Sequence, residues 1–356
     1  MTRLRLGVIF GGRSAEHEVS VVSAMEMIKA ADPERFDVVP FGVTRDGRWL
    51  TPSETQHQLE RDDPPYEKRL EADAPGLLQR HAIFDEMAKL DVAFPLVHGI
   101  NGEDGTLQGM LEMFALPYAG CGVAASALGM DKGLQKHLFT EAGIDVAPFI
   151  ELRQHHWRDD ERNVALQIEQ AVGYPAFVKP ANGGSSVGVS KVRSREDLGG
   201  AMTAAFRIDE KVLVEQAIRG REIECGVIGG AQPEASPVGE VVPAGEFYDY
   251  AAKYLENTAR LVAPAELSEE MSEVVQETAI EAFEAIDGGD GFARVDFFLE
   301  RDGHLVLNEI NTIPGFTPIS MFPRLWQLAG VTYRELISRL VDLGIRRFER
   351  KEARGG

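Results

Sequence analysis

Cysteine is nearly missing from this 356-residue chain: Cys121 and Cys225 are the only two, far apart and outside any CxxC spacing. That excludes a disulfide framework and a thiolate zinc cluster, and it fits the cytoplasm. Long apolar runs are missing as well. The opening MTRLRLGVIF has basic residues and a short apolar stretch, but Gly11, Gly12, Arg13 and two glutamates follow where a signal peptide needs a longer hydrophobic region. No export or transmembrane segment is therefore expected. Positive charge is in deficit, since 37 Lys and Arg face 57 Asp and Glu for a formal charge of −20. A field of that sign repels polyanions and argues against nucleic acid as a partner. Walker-type GxxxxGK[ST] and kinase-type GxGxxG loops do not occur, and neither do internal repeats or low-complexity tracts.

What is present is a globular composition, 44% apolar and 26% charged, in a chain long enough for two or three domains. Over residues 1–120 short apolar runs (LGVIF, DVVPFGV, DVAFPLV, LPYAG) alternate with helical patterns near Val19 to Lys29, Ile83 to Lys89 and Thr106 to Phe114. This predicts a parallel α/β domain. Residues 51–80 are polar, proline-bearing and without period, and read as a surface excursion. A helix from Met130 to Ala142, then PAFVK, SKVRS and VLVEQ, predict a small antiparallel-sheet domain over 121–216. REIECGVIGG, a long helix from Ser268 to Ala285 and the pair ARVDFF and LVLNEI predict a third, larger module over 217–356. The basic tail RRFERKEARGG reads as a solvated end.

The strongest constellation lies on that last strand pair. Asp302-Gly303 predicts a two-residue hairpin turn, because both central positions tolerate positive φ. Asp296 then faces Glu309 and Arg294 faces Asn311, all on one face because the strand period is two. Opposed carboxylates are destabilising unless a cation lies between them. Asp296, Glu309 and Asn311 together make an all-oxygen donor set for a hard cation such as magnesium, which is commonly held through carboxylates plus substrate phosphates.

Two glycine-rich stretches compete as anion sites. GCGVAA at 120–125 matches GxGxxA after a strand, but no acidic residue ends a following strand at the spacing a dinucleotide site needs. In VKPANGGSSVGVSKV, residues 178 to 192, Lys179 ends a strand and the glycines let backbone amides turn towards an anion. An ordinary glycine hairpin is the alternative.

Four segments, taken together and in order, resemble the D-alanine–D-alanine ligases of the ATP-grasp superfamily: GGRSAEHEVS, HGINGEDGTLQG, VKPANGGSSVGVSKV, and EFYDYAAKY with ARVDFF and LNEINTIPGFTPIS. The resemblance implies an ATP-grasp fold of three α/β modules, ATP with two Mg2+ ions (Mn2+ able to substitute), D-alanine as substrate, a homodimer, and a part in making peptidoglycan precursor. It also implies the reaction, in which one D-alanine is phosphorylated on its carboxylate and the amine of a second attacks the acyl phosphate. Such chemistry needs cations around the phosphoryl group, a donor at the oxyanion and exclusion of water.

By the same resemblance Lys132, Lys179 and Ser186 meet the nucleotide phosphates, Glu215, Gln216, Ala217 and Ile218 read adenine, Glu222 takes the ribose, and Asn308 belongs to the ATP site. The family often has lysine where Gln216 stands, and a backbone contact to adenine survives that change. Glu16, with Ser14 as the expected N-cap of its helix, binds the ammonium of the first D-alanine. Arg294 and the Gly315 amide stabilise the oxyanion, and Ser320 and Met321 receive the second carboxylate. Lys253 and Tyr254 sit on a loop that closes over the site, Tyr254 reaching towards Ser185 and Glu16, with His98 in support. Asp296, Glu309 and Asn311 hold the metal. Tyr254 favours D-alanine over D-lactate as second substrate, and a non-catalytic nucleotide sensor has little support because every expected metal and phosphate residue is present.

Overall fold

The computed structural model describes residues 2–64, 67–71, 77–243 and 260–355. In its first part β1 (Leu4–Gly11), α1 (His17–Ala30), β2 (Phe36–Val43), α2 (Pro52–Leu59), α3 (Leu77–Met87), β3 (Val92–Pro95) and α4 (Thr106–Met113) follow in order. The sheet is parallel with strand order β2-β1-β3, as the alternation predicts, while LPYAG contributes only a bridge from Tyr118 to Ala93. Three expectations need correction. Helix α1 starts two residues early with Glu16 itself at the N-cap position, because Ser14 Oγ accepts the Glu16 amide at 3.0 Å in a local turn rather than capping the helix. The excursion contains α2, capped by a reciprocal Thr51–Glu54 box with Pro52 at its first turn. Helix α3 begins at Leu77, inside the stretch read as irregular.

The middle of the chain starts with α5 (Val123–Met130) and α6 (Lys132–Glu141). Asp131 caps α6 by accepting from the Gly133 and Leu134 amides, each at 3.0 Å. Both helices pack on the last sheet, where Cys121, Ala125, Phe139 and Ile144 join Ile223, Val295, Phe297 and Ile310 in one apolar core. Then come β4 (Phe149–Arg153), α7 (Gln154–Asp159), α8 (Glu161–Ala171), β5 (Ala176–Pro180), β6 (Ser190–Val192), α9 (Arg195–Phe206) and β7 (Lys211–Gln216). The strands make an antiparallel sheet of order β4-β7-β5-β6, closed by Ile168, Leu198 and Met202 from α8 and α9.

The last part holds β8 (Gly220–Ile228), β9 (Glu234–Val242), β10 (Arg260–Val262), α10 (Glu269–Ala285), β11 (Phe292–Glu300), β12 (Leu305–Asn311), α11 (Met321–Leu328) and α12 (Tyr333–Glu352). Its antiparallel sheet runs β10-β9-β8-β11-β12. Helix α12 returns to the first sheet, where Leu336, Ile337 and Leu340 share a core with Leu6, Val8 and Phe94. Each such fully buried aliphatic side chain contributes roughly 1.5–3 kcal/mol, so this shared core ties the first module to the last.

The hairpin β11–β12 pairs Arg294 with Asn311 and Asp296 with Glu309 as expected, by an unexpected route. The turn takes three residues between Glu300 and His304, whose backbones bond at 2.9 Å, and only Gly303 has positive φ. A three-residue turn ending on a left-handed glycine shifts the register by one. Phe297 accordingly faces Leu307, and an irregularity after Asp296 restores the predicted pairing. Asn308 is the extra residue of that bulge. It flips the strand's phase, so Ile310 enters the core while Asn308, Glu309 and Asn311 all face the cavity.

Candidate active site

A cavity of about 760 Å³ lies where the three sheets meet. Every described residue that the sequence pointed to lines it: Glu16, His98, Lys132, Lys179, Ser185, Ser186, the run Glu215 to Ile218, Glu222, Arg294, Asp296, Asn308, Glu309, Asn311, Gly315, Ser320 and Met321. Lys253 and Tyr254 lie outside the described residues.

One wall is a row of carboxylates crossing three strands, because Glu224 pairs with Asp296 and Asp296 with Glu309. Cations compensate the repulsion. Arg294 grips Asp296 with Nε and Nη2, both at 2.7 Å, and lies 3.2 Å from Glu224. Lys132 Nζ sits 3.3 Å from Glu309 and donates to the Gly183 carbonyl at 2.7 Å. Burial alone would lower the Lys132 pKa, but the charge and hydrogen bond of Glu309, then Glu215 and Glu103, raise it. The ammonium therefore stays charged. Asn311 Nδ2 donates to Asp296 at 3.0 Å, which groups both carboxylates and the amide. Among the described residues no three His, Cys, Asp or Glu form a metal cage. The donor set here is two carboxylates and an amide oxygen, hard ligands that suit magnesium better than zinc.

The second wall is the loop between β5 and β6. Ser185 and Ser186 both take left-handed backbone, at φ 47° and 59°, a strained geometry for side-chain-bearing residues. That conformation turns Ser185 Oγ onto Glu16 Oε1. At the back of the cavity, Glu215 on β7 faces both Lys179 and Lys136. Burial would raise the Glu215 pKa, but the two lysines lower it. The neighbouring hinge is more restricted than expected. Gln216 and Ala217 already donate their backbone N–H groups to the Pro148 and Pro175 carbonyls at 2.9 and 3.0 Å.

At the far end Ser320 is the N-cap residue of α11, with its hydroxyl 2.8 Å from Thr317 Oγ1 and close to Gly315. A helix N-terminus of this kind attracts a carboxylate. His98 contacts the Ile313 carbonyl through Nδ1 at 2.9 Å, and Glu103 Oε1 lies 4.0 Å from the same nitrogen. Burial pushes the Glu103 pKa up and the Glu16 charge adds to this, against the opposing pull of His98.

Two family models divide the chain: the D-ala D-ala ligase N-terminus matches residues 5–121 and the D-ala D-ala ligase C-terminus matches residues 138–342. The chain belongs to the D-alanine–D-alanine ligase family. Similar curated proteins include a D-alanine–D-alanine ligase from Bacillus licheniformis, 47% identical with 98% of each chain covered. D-alanine–D-alanine ligase A from Chromobacterium violaceum is 48% identical, covering 99% of this chain and 98% of the relative. Among solved structures, the D-alanine-D-alanine ligase from Coxiella burnetii superposes with a TM-score of 0.83 at 32% identity, covering 99% of this chain and 97% of that one. The VanG D-Ala:D-Ser ligase from Enterococcus faecalis gives 0.79 at 32% identity, over 96% of this chain and 100% of that one. The family carries the ATP-grasp fold, and the parallel first sheet with two antiparallel sheets matches it.

Sequence reasoning missed Glu103, Glu224 and Lys136. The first two had signals: Glu103 lies in the HGINGEDG segment, and Glu224 follows Glu222 by two on a strand, which puts both on one face.

Proposed function

We propose that this ligase joins two D-alanine molecules into D-alanyl-D-alanine, using ATP and releasing ADP and phosphate, for cell-wall precursor synthesis in the cytoplasm. The observation that carries the reading is that a single cavity gathers the phosphate-type lysines, the carboxylate row, Arg294 and the Glu16–Ser185 pair. A division at 1–120, 121–216 and 217–356 belongs to the same reading, since each sheet falls within one of those spans, with α5 and α6 reaching from the second span to the sheet of the third. So does a homodimer, supported by the exposed apolar cluster of Phe84, Met113 and Phe114.

ATP enters between the two antiparallel sheets. Adenine meets the hinge at Ile218 and the strand carbonyls, Glu222 takes the ribose, and Lys132, Lys179, Ser186 and Lys253 meet the phosphates beside Asn308. Asp296, Glu309 and Asn311 would hold magnesium, which when bound draws charge from the phosphate oxygens. Glu16 holds the first D-alanine by its ammonium, aligning a carboxylate oxygen for attack on the γ-phosphorus, where the bond to the β–γ bridging oxygen breaks and ADP leaves with its electron pair. Ser320 and the Met321 backbone hold the second by its carboxylate. Its amine attacks the acyl carbon, Arg294 and the Gly315 amide take the oxyanion charge, and phosphate leaves with the bonding electron pair. Ser185, Tyr254 and Glu16 close the loop and keep water from the acyl phosphate.

Incubating the protein with ATP, magnesium and D-alanine should release phosphate and dipeptide in equal amounts. Offering D-lactate or D-serine beside D-alanine across a pH range reads the choice of second substrate. Phosphate release independent of D-alanine, with no dipeptide, would overturn the proposal.

A further inference from the structure

Lys136 is buried to 1% exposure on α6 and does not line the cavity. Its ammonium nevertheless has two partners on opposite sides of the nucleotide region. Nζ lies 3.2 Å from Glu215 Oε2 and 3.3 Å from the backbone carbonyl of Asn308, the bulge residue that precedes Glu309. Glu215 is buried to 3% and its other oxygen meets Lys179 Nζ. Oε2 faces Lys136 without forming a well-aligned hydrogen bond to any described residue, so the link is carried by charge rather than by hydrogen-bond geometry.

The count of charges decides what each lysine does. One buried carboxylate meets two ammoniums, which leaves one surplus positive charge. Lys136 is shut away from the cavity, while Lys179 lines it. A buried carboxylate must keep a counter-ion, and only Lys136 is placed to stay with Glu215 while Lys179 turns to an anion. Burial, aided by the Lys179 charge, holds the Lys136 pKa below the ordinary lysine value against the pull of Glu215, as expected for an ammonium with little solvent.

We propose that Lys136 is a positioning residue of the nucleotide site: it neutralises Glu215 and holds the Asn308 carbonyl, leaving the Lys179 ammonium to meet the phosphate chain. The inference rests on the ligase reading above. Without Lys136, Lys179 becomes the one ion-pair partner of Glu215 among the described residues and is withdrawn from the phosphates.

The test is a double-mutant cycle of Lys136→Met and Glu215→Gln, read by calorimetric ADP binding with magnesium and by the separate KM values for ATP and D-alanine. Lys136→Met should weaken ADP binding and raise the ATP KM by about tenfold or more, the scale expected when a buried charge loses its partner, and leave the D-alanine KM within about twofold. In the Glu215→Gln background the same change should alter ADP affinity less than about threefold, because Lys179 no longer has a carboxylate to neutralise. This second comparison also stands if Lys136→Met alone does not fold. An undiminished ADP affinity in Lys136→Met, or a further tenfold loss in the Glu215→Gln background, would overturn the proposal. A wild-type protein that binds no ADP and makes no dipeptide overturns the ligase reading with it, whereas an active wild type with an unaffected Lys136→Met overturns this inference alone.

Discussion

The Ser185 hydroxyl donates to Glu16 Oε1 across 169 residues of sequence, joining the loop of the four-stranded sheet to the N-cap of α1. The main chain follows the side chain: a Cβ built on Gly184 would overlap Glu16 Oε2. The loop backbone thus closes directly onto the carboxylate, and a side chain at position 184 would push the Glu16 carboxylate out of place.

Gly184→Ala should therefore lower kcat/KM for D-alanine by about 100-fold, near 2.7 kcal/mol of lost transition-state stabilisation. Ser185→Ala, which removes one hydrogen bond and adds no bulk, should cost about tenfold. Steady-state kinetics with each substrate varied reads both. Equal effects, or none for Gly184→Ala, would mean that the loop does not close on Glu16.

Glu309→Gln should reduce turnover by about 100-fold or more, because it removes one charge from the proposed magnesium ligands and the counter-ion of Lys132. Its side chain is 23% exposed, so stability should change by about 1 kcal/mol or less. Phosphate release and a thermal melt on the same sample separate the two effects. Excess EDTA should abolish wild-type turnover and added magnesium restore it; wild-type rates in Glu309→Gln would remove the residue from the metal set.

The site was legible where chemistry-bearing residues occur in runs. The pairing of Asp296 with Glu309 followed from strand periodicity, although two errors cancelled there: a turn one residue longer than Asp302-Gly303 suggested, and a bulge at Asn308 that made up the difference. Helix α2 could have been found, since Thr51-Pro52-Ser53-Glu54 is a capping box with proline at the first turn. Strand β9 was harder to see, because EASPVGEVV carries a proline and a glycine within it. The contacts of the excursion, Leu70 N–H to His17 and Arg69 to Glu18 on α1, depend on tertiary packing that no local pattern encodes. Lys136 is the clearest such case. A lysine four residues after Lys132 reads as one more solvated charge, and only the neighbouring Glu215 and Asn308 place it inside.

His98 gives a pH signature. Burial would lower its pKa, but the Glu103 carboxylate 4.0 Å away, the charge of Glu16 and the Ile313 carbonyl raise it above 6.5. A raised folded-state pKa means that the stabilisation is fully present below about pH 6.5 and is lost as pH rises through the folded value. The stability gap between wild type and His98→Gln should thus be largest in mild acid and shrink on the alkaline side. Urea unfolding from pH 5.5 to 9 measures it, and a gap that widens with pH would show that His98 is held neutral.

Arg294 is held on three sides, by two oxygens of Asp296 and one of Glu224. Burial alone would lower its pKa, but those carboxylates raise it well above the ordinary arginine value, so the charge is permanent and its direction is set by the fork. Lysine would keep the charge and lose the planar, bidentate grip. If Arg294 acts on the oxyanion, Arg294→Lys should lower kcat by about 100- to 1,000-fold and leave the ATP KM within about threefold, because the lost interaction exists only in the transition state. Asp296 keeps its hydrogen bond from Asn311, so the structural cost should stay near 1–3 kcal/mol. A variant whose ATP KM rises while kcat holds would place Arg294 in ground-state nucleotide binding instead.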